Sequence, residues 1–115
     1  MALTASTHFK AHFFVKRKAS MSFEDFKRHQ LDVHVPLALQ LPGLIDYSLS
    51  FFEPFDGEDQ AFDAMATVTF ESAEAQAAAM ESNEGAAALA DLPNYLDDPE
   101  EMVVLASAPG MTFAK

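Results

Sequence analysis

Apolar and polar residues alternate one by one near the start of the chain. Phe9, Ala11, Phe13 and Val15 point one way and Lys10, His12, Phe14 and Lys16 the other, which is the period of a β-strand. After a turn at Ala19-Ser20-Met21 the period changes to that of a helix. Ser22, with Asp25 three residues on, makes a capping-box-like start. At about 100° per residue, Phe23, Phe26, Val33 and Leu37 then share one stripe. The spacing predicts a helix over residues 22–39 that weakens near Val35, because the residue before Pro36 avoids the α region. Leu41-Pro42-Gly43-Leu44 is its stop signal.

Strand-like alternation returns at residues 44–53, where Ile45, Tyr47, Leu49 and Phe51 oppose Asp46, Ser48 and Ser50. Residues 54–60 form a polar loop around Asp56-Gly57. The third strand covers residues 62–71, with Phe62, Ala64, Ala66, Val68 and Phe70 on one face and Asp63, Met65, Thr67 and Thr69 on the other. Ser72 caps a second helix that runs through alanines to about Ser82. A shorter helical stretch covers residues 84–92 and ends at Pro93, and residues 102–108 make the last strand. The tail from Pro109 to Lys115 shows no pattern.

The order β-α-β-β-α-β predicts an α+β, ferredoxin-like fold, a four-stranded antiparallel sheet with both helices on one face. A single domain over residues 1–115, with its core at about 8–108, accounts for the chain. Both faces of these strands carry apolar side chains, Phe14 opposite Phe13 and Met65 opposite Ala64 and Ala66. Helices cover only one face, so the other calls for a second sheet. A homodimer through the sheet face is the simple solution.

Two polar residues interrupt the dry side of the first helix. Gln30 falls between Phe26 and Phe23 on the helical wheel, and His34 falls about 20° beyond Phe23. A buried polar group costs roughly 1–3 kcal/mol unless something bonds it. Either the core supplies partners or this face lines a cavity where a ligand or water does.

Composition narrows the function classes. Half of the 115 residues are hydrophobic, enough for one core, and there is no cysteine for disulfide or thiolate chemistry. The net charge of −11 is uneven: residues 1–45 sum to +3 and residues 46–115 to −14. So acidic a total repels phosphate backbones and excludes nucleic acid as the expected partner. No apolar run approaches a membrane span, and the first residues lack a leader-like pattern, so a cytoplasmic protein is expected. The Lys16-Arg17-Lys18 run could guide an anionic substrate or simply end a strand.

The residues Lys16-Arg17-Lys18, Ser22, Phe26, His29, Val33-His34-Val35-Pro36-Leu37-Ala38, Leu41-Pro42-Gly43-Leu44 and Tyr47 together resemble the EthD-like family of dimeric α/β-barrel proteins. Phe70-Glu71-Ser72, Met80-Glu81-Ser82-Asn83-Glu84-Gly85 and Asp91 resemble the second half of the same pattern. The resemblance implies a ferredoxin-like protomer, a dimer whose sheets form a barrel, and a ligand pocket between sheet and helices. The wider superfamily includes muconolactone isomerases, polyketide cyclases and cofactor-independent monooxygenases, with haem-handling enzymes as a separate branch. Two departures stand out. Family members often carry an aromatic residue where Gln30 stands and an acidic one where Thr67 stands.

The implied chemistry is cofactor-free proton transfer on a small apolar or aromatic oxygenated compound, of lyase, isomerase or cyclase type, in catabolism or secondary metabolism. His34 is the proton-transfer candidate. Alternatively it is a structural histidine bonding a carbonyl that Pro36 leaves unpaired. Tyr47, on the apolar side of its strand, could donate to a substrate oxygen or be a core tyrosine. Gln30 could orient a carbonyl or His34 itself, and Thr67 is a further candidate partner. His12 and Phe14 could line a binding cavity or the dimer barrel. His29 points about 240° round from Phe23 and looks like a surface residue. No metal site is expected, since His8 and His12 lie roughly 13 Å apart along a strand and His29 and His34 point different ways. The alternative function is a non-catalytic ligand-binding or accessory protein of an oxidative degradation pathway.

Overall fold

A computed structural model describes residues 2–5, 8–54, 60–107 and 111–115. Four strands, β2 (Phe9–Val15), β3 (Asp46–Phe51), β4 (Ala64–Phe70) and β5 (Val103–Ser107), form one sheet in the order β3-β4-β2-β5. Every neighbouring pair is antiparallel. This is the ferredoxin-like arrangement that the element order predicts. Two further strands, β1 (Ala2–Ala5) and β6 (Met111–Phe113), pair with each other in a separate antiparallel ribbon. The patternless reading of the tail is thus corrected: three residues are too few to show a period, yet Met-Thr-Phe suits a strand. The Asp56-Gly57 turn and the end of the last strand at Ala108 lie outside the described residues.

The first helix begins as the capping pattern requires, the Ser22 hydroxyl accepting the Asp25 N–H at 3.1 Å. It is not uniform. α1 (Phe23–His29) passes into a π-helical turn at Gln30–His34 and continues as α2 (Val35–Ala38). Within the turn the Val35 N–H donates to the Gln30 carbonyl, five residues back instead of four. Pro36 is the reason at hand. It has no N–H for the carbonyl four residues earlier, and its ring would crowd that carbonyl, so widening the turn relieves both. The helix therefore does not stop before Pro36; it changes phase. Val33, expected on the dry stripe, is 40% exposed, whereas Gln30, His34 and Ala38 face inward at 2%, 9% and 3%.

α3 (Ala73–Met80) and α4 (Asn83–Asp91) complete the layer, each capped by a serine hydroxyl, Ser72 and Ser82. Gly85 lets their ends meet: a Cβ there would stand 2.5 Å from the carbonyl oxygens of Ala79 and Met80. Two groups of buried side chains hold this layer to the sheet. One gathers Val15, Phe26, Ala64, Leu92, Tyr95 and Leu96; the other gathers Ala11, Leu41, Val68, Phe70 and Ala79. The Phe26 ring is fully enclosed and packs on Phe51 and Tyr95 at centroid distances of 6.1 and 5.9 Å.

The basic run at the end of β2 is anchored. Asp63, 4% exposed, accepts the Arg17 backbone N–H at 2.8 Å and its guanidinium at 2.6 Å. Lys16 Nζ donates to the Gln60 carbonyl at 3.1 Å. Arg17 ties the strand end to the following segment and has little charge left for an anionic ligand.

Candidate functional site

A cavity of about 60 Å³ opens between the two core groups, with members of both in its walls. One water needs about 10–15 Å³ on this measure, so there is room for a compact ligand. Phe13, Val15, Leu49 and Val68 form the sheet side, and Leu41, Met80, Leu89 and Leu92 stand opposite. Leu89 is 45% exposed, so the lining reaches the surface. Among the described residues, the polar side chains in the lining are Gln30, His34, Tyr47 and Tyr95.

His34 is held by both its nitrogens. Nδ1 lies 2.9 Å from Asp91 Oδ2, and Nε2 lies 3.3 Å from the Tyr95 hydroxyl. The Asp91 carboxylate, 4% exposed, serves two more donors. Asn94 Nδ2 donates to Oδ1 at 2.9 Å, and His29 Nε2 lies 2.9 and 3.0 Å from Oδ1 and Oδ2. An ionised carboxylate only accepts, so the His34 proton belongs on Nδ1. That leaves Nε2 with its lone pair directed to the cavity side, where the Tyr95 O–H donates to it.

The charge states follow from burial and bonding. Burial lowers the affinity of His34 for a second proton, more than the bond to Asp91 raises it, so the ring is neutral at neutral pH. Burial by itself would raise the Asp91 carboxyl. The bonds from Asn94, His34 and His29 together outweigh it and hold the acid below its ordinary value. Burial pushes the Tyr47 hydroxyl up to about 12 and drives Tyr95 higher still, the nearby Tyr47 adding to the effect. The cavity thus presents two un-ionised phenols and a neutral imidazole.

Gln30 is the unfinished part. It is 2% exposed, and its Nε2 makes no well-formed hydrogen bond among the described residues, although the amide lies close enough to the Tyr95 hydroxyl to oppose part of that group's upward shift. One buried amide donor therefore faces the cavity without a well-formed acceptor among the described residues.

Sequence reasoning brings Gln30, His34 and Tyr47 to this cavity, and the structure places all three in its lining. It does not bring His12, Phe14 and Thr67 there. Strand alternation puts them on the opposite face of the sheet, where His12 Nδ1 lies 2.9 Å from Thr67 Oγ1 and Nε2 lies 3.1 Å from Ser107 Oγ. Thr67 is accordingly not the partner of His34. The surface reading of His29 is also corrected. Residues five apart on an α-helix point about 140° apart, but the π-turn between His29 and His34 swings both onto one carboxylate. Asp91 and Tyr95 were assigned no role from sequence, although the signal was present. Gly85, Ala88 and Asp91 are three apart, and Tyr95 follows four later, a dry stripe with an acid in it.

The whole cluster falls within one stretch of the chain. A family model described as the EthD domain matches residues 18–99. The chain belongs to the EthD family. His29, Gln30, His34, Tyr47, Asp91 and Tyr95 all lie inside the EthD stretch. Solved structures share the fold. An ethyl tert-butyl ether D (EthD) family protein from Bacillus halodurans superposes with a TM-score of 0.73 at 19% identity, covering 87% of this chain and 96% of that one. An EthD-like protein from Ralstonia eutropha gives 0.69 at 25% identity, covering 90% and 92%. A dimeric ferredoxin-like protein of unknown function from Thermobifida fusca gives 0.67 at 16%, covering 92% and 95%. Among curated proteins none matches. Among the described residues of this EthD chain, no three His, Cys, Asp or Glu side chains are grouped to hold a metal ion, and no helix is long and apolar enough to cross a membrane.

Proposed function

We propose that the cavity binds a compact, neutral, largely apolar compound bearing a carbonyl or hydroxyl oxygen, and that His34 moves a proton on it. One observation carries this reading: a buried imidazole backed by a carboxylate shares a largely apolar cavity with an amide donor that has no well-formed acceptor among the described residues. Two phenols with raised ionisation, and a lining that carries no cationic side chain among the described residues, disfavour an anionic ligand. A carbonyl oxygen would take the Gln30 N–H and the Tyr47 O–H. His34 Nε2 would accept a proton from the adjacent carbon, the C–H pair becoming the enolate double bond and the charge resting on that oxygen. Asp91 stabilises the imidazolium so formed. Tyr95 yields its place on Nε2 easily, since 3.3 Å is a long hydrogen bond. Return of the proton at another atom makes the reaction an isomerisation, and loss of a leaving group makes it a lyase step.

The test uses cyclohexanone in D₂O, with α-proton exchange followed by NMR. Wild-type protein should accelerate exchange over buffer, and His34→Gln should lose about 10²–10⁴-fold of that acceleration. Equal rates with the two proteins overturn the assignment. The second reading, ligand binding without turnover, is favoured by Tyr95 already occupying Nε2. It predicts that small ketones protect the protein against thermal unfolding while exchange stays at the buffer rate.

The assembly is a homodimer through the face of the sheet turned away from the cavity. That face carries Phe14, Met65, Val103 and Leu105, the last 56% exposed. Similar solved proteins from Thermobifida fusca and Jannaschia are described as dimeric.

A further inference from the structure

The mechanism uses His34 and Asp91 but leaves His29 without a task. Its position is unusual for a helix residue that precedes His34 by five. The π-turn rotates it so that Nε2 spans both carboxylate oxygens, at 2.9 and 3.0 Å, while Oδ2 also receives His34 at 2.9 Å. Both rings pack against Tyr95, with centroids 5.4 and 5.1 Å away. The two differ in access to water: the His29 side chain is 18% exposed and that of His34 11%. One buried anion therefore has two imidazoles competing for it.

We propose that His29 is a positioning residue that governs how strongly His34 holds a proton, because the two rings divide a single carboxylate. The inference rests on His34 being the proton-transfer group. When His29 is charged, it neutralises Asp91 and repels a second positive charge on His34, which then becomes the poorer acceptor. When His29 is neutral, its N–H still fixes the carboxylate, and the whole negative charge supports His34. Activity would therefore follow a group that touches no substrate. The groups facing this carboxylate are few. His29 and His34 come from the first helix, Asn94 and Tyr95 from the segment after α4, and Tyr47 of β3 stands behind Tyr95. Of the nearby cations, Lys27 lies over the Phe23 and Phe51 rings and Arg28 is bound to Asp25.

The experiment is a pH titration of the imidazole nitrogens by long-range ¹H–¹⁵N NMR on the intact protein, which needs no substrate. In the wild type, the His34 curve should show more than one inflection. In His29→Gln, which keeps an N–H donor without the charge, His34 should titrate as a single step shifted to higher pH. In the Asp91→Asn background the further change His29→Gln should produce a smaller shift, because the shared anion is gone. A one-step His34 curve in the wild type would overturn the proposal, whether or not any variant folds. So would an unmoved His34 curve in folded His29→Gln. Linked titrations together with no ketone exchange would instead reject His34 as the catalytic group and leave the coupling standing.

Discussion

Asp91→Asn is the most informative single change, because the two side chains have the same shape and differ in what they accept. The carboxylate receives Asn94 at 2.9 Å, His34 at 2.9 Å and His29 at 2.9 and 3.0 Å. An amide has one oxygen for these three donors and turns its own N–H₂ toward at least one of them. A bond to a charged group contributes about 1.5–3 kcal/mol, and two are disturbed. A ring that changes tautomer can recover part of that by accepting from the new amide. The expected net loss near neutral pH is about 2–4 kcal/mol. For a domain of this length that lowers the melting temperature by roughly 8–20 °C.

The pH dependence separates this account from a mere packing defect. Asp91 lies below its ordinary 3.8 in the fold, so the stability it contributes is complete above that value and is lost as pH falls through the lowered one. His34 is also lowered, from 6.5, and remains neutral while the unfolded ring takes up a proton. Its contribution is complete above 6.5 and declines as pH drops from there toward its folded value. In Asp91→Asn the carboxylate that helped His34 accept a proton is gone, so this decline deepens. The difference between the two proteins should widen below pH 6.5 and narrow again below 3.8. Urea unfolding followed by far-UV circular dichroism, at fixed protein concentration and several pH values, measures it. A loss under about 1 kcal/mol near neutral pH, or a difference flat across this range, refutes the reasoning.

Gly85→Ala should cost about 1–3 kcal/mol in thermal unfolding, since the new Cβ would stand 2.5 Å from two backbone carbonyl oxygens; a neutral result would show that α3 and α4 can part freely. Gln30→Leu should leave stability unchanged or raise it by up to about 2 kcal/mol, because it removes a buried donor that has no well-formed hydrogen bond among the described residues, while weakening protection by small ketones. A clear loss of stability would mean the amide has a structural partner. Leu105→Asp, at a position 56% exposed, should leave the fold intact and shift sedimentation from dimer to monomer; an unchanged dimer would move the interface elsewhere.

The sheet was legible because its signal is local. Alternation in β2, β3 and β4 sorts Phe13, Leu49 and Val68 from His12, Ser48 and Thr67 without knowledge of the partner strand. The serine caps at Ser22 and Ser72 are equally local. What was not legible depended on the helix keeping one phase. A wheel drawn at constant pitch places Gln30 and His34 correctly, since both lie within one turn. It misplaces Val33 and separates His29 from His34, because the π-turn forced by Pro36 adds a residue between them. Asp91 was missed for another reason: a carboxylate in an alanine-rich helix invites a solvent-facing reading, and only its spacing from Gly85 and Ala88 argues otherwise.

The polar cluster is more than a way of satisfying itself. If stability alone had shaped this interior, the cheaper solution is a leucine at position 30 and a filled cavity, for incomplete packing and an unsatisfied amide both cost free energy. Instead the chain keeps a buried Gln30 amide that has no well-formed acceptor among the described residues. It also carries a buried carboxylate whose three donors are arranged so that one of them, His34, turns its remaining nitrogen to the same space. The carboxylate network is fully paired and could serve the fold alone. The orphan amide cannot, and it shares a wall with the imidazole. An acceptor oxygen arriving in the cavity would complete Gln30 and come within the reach of His34 at once.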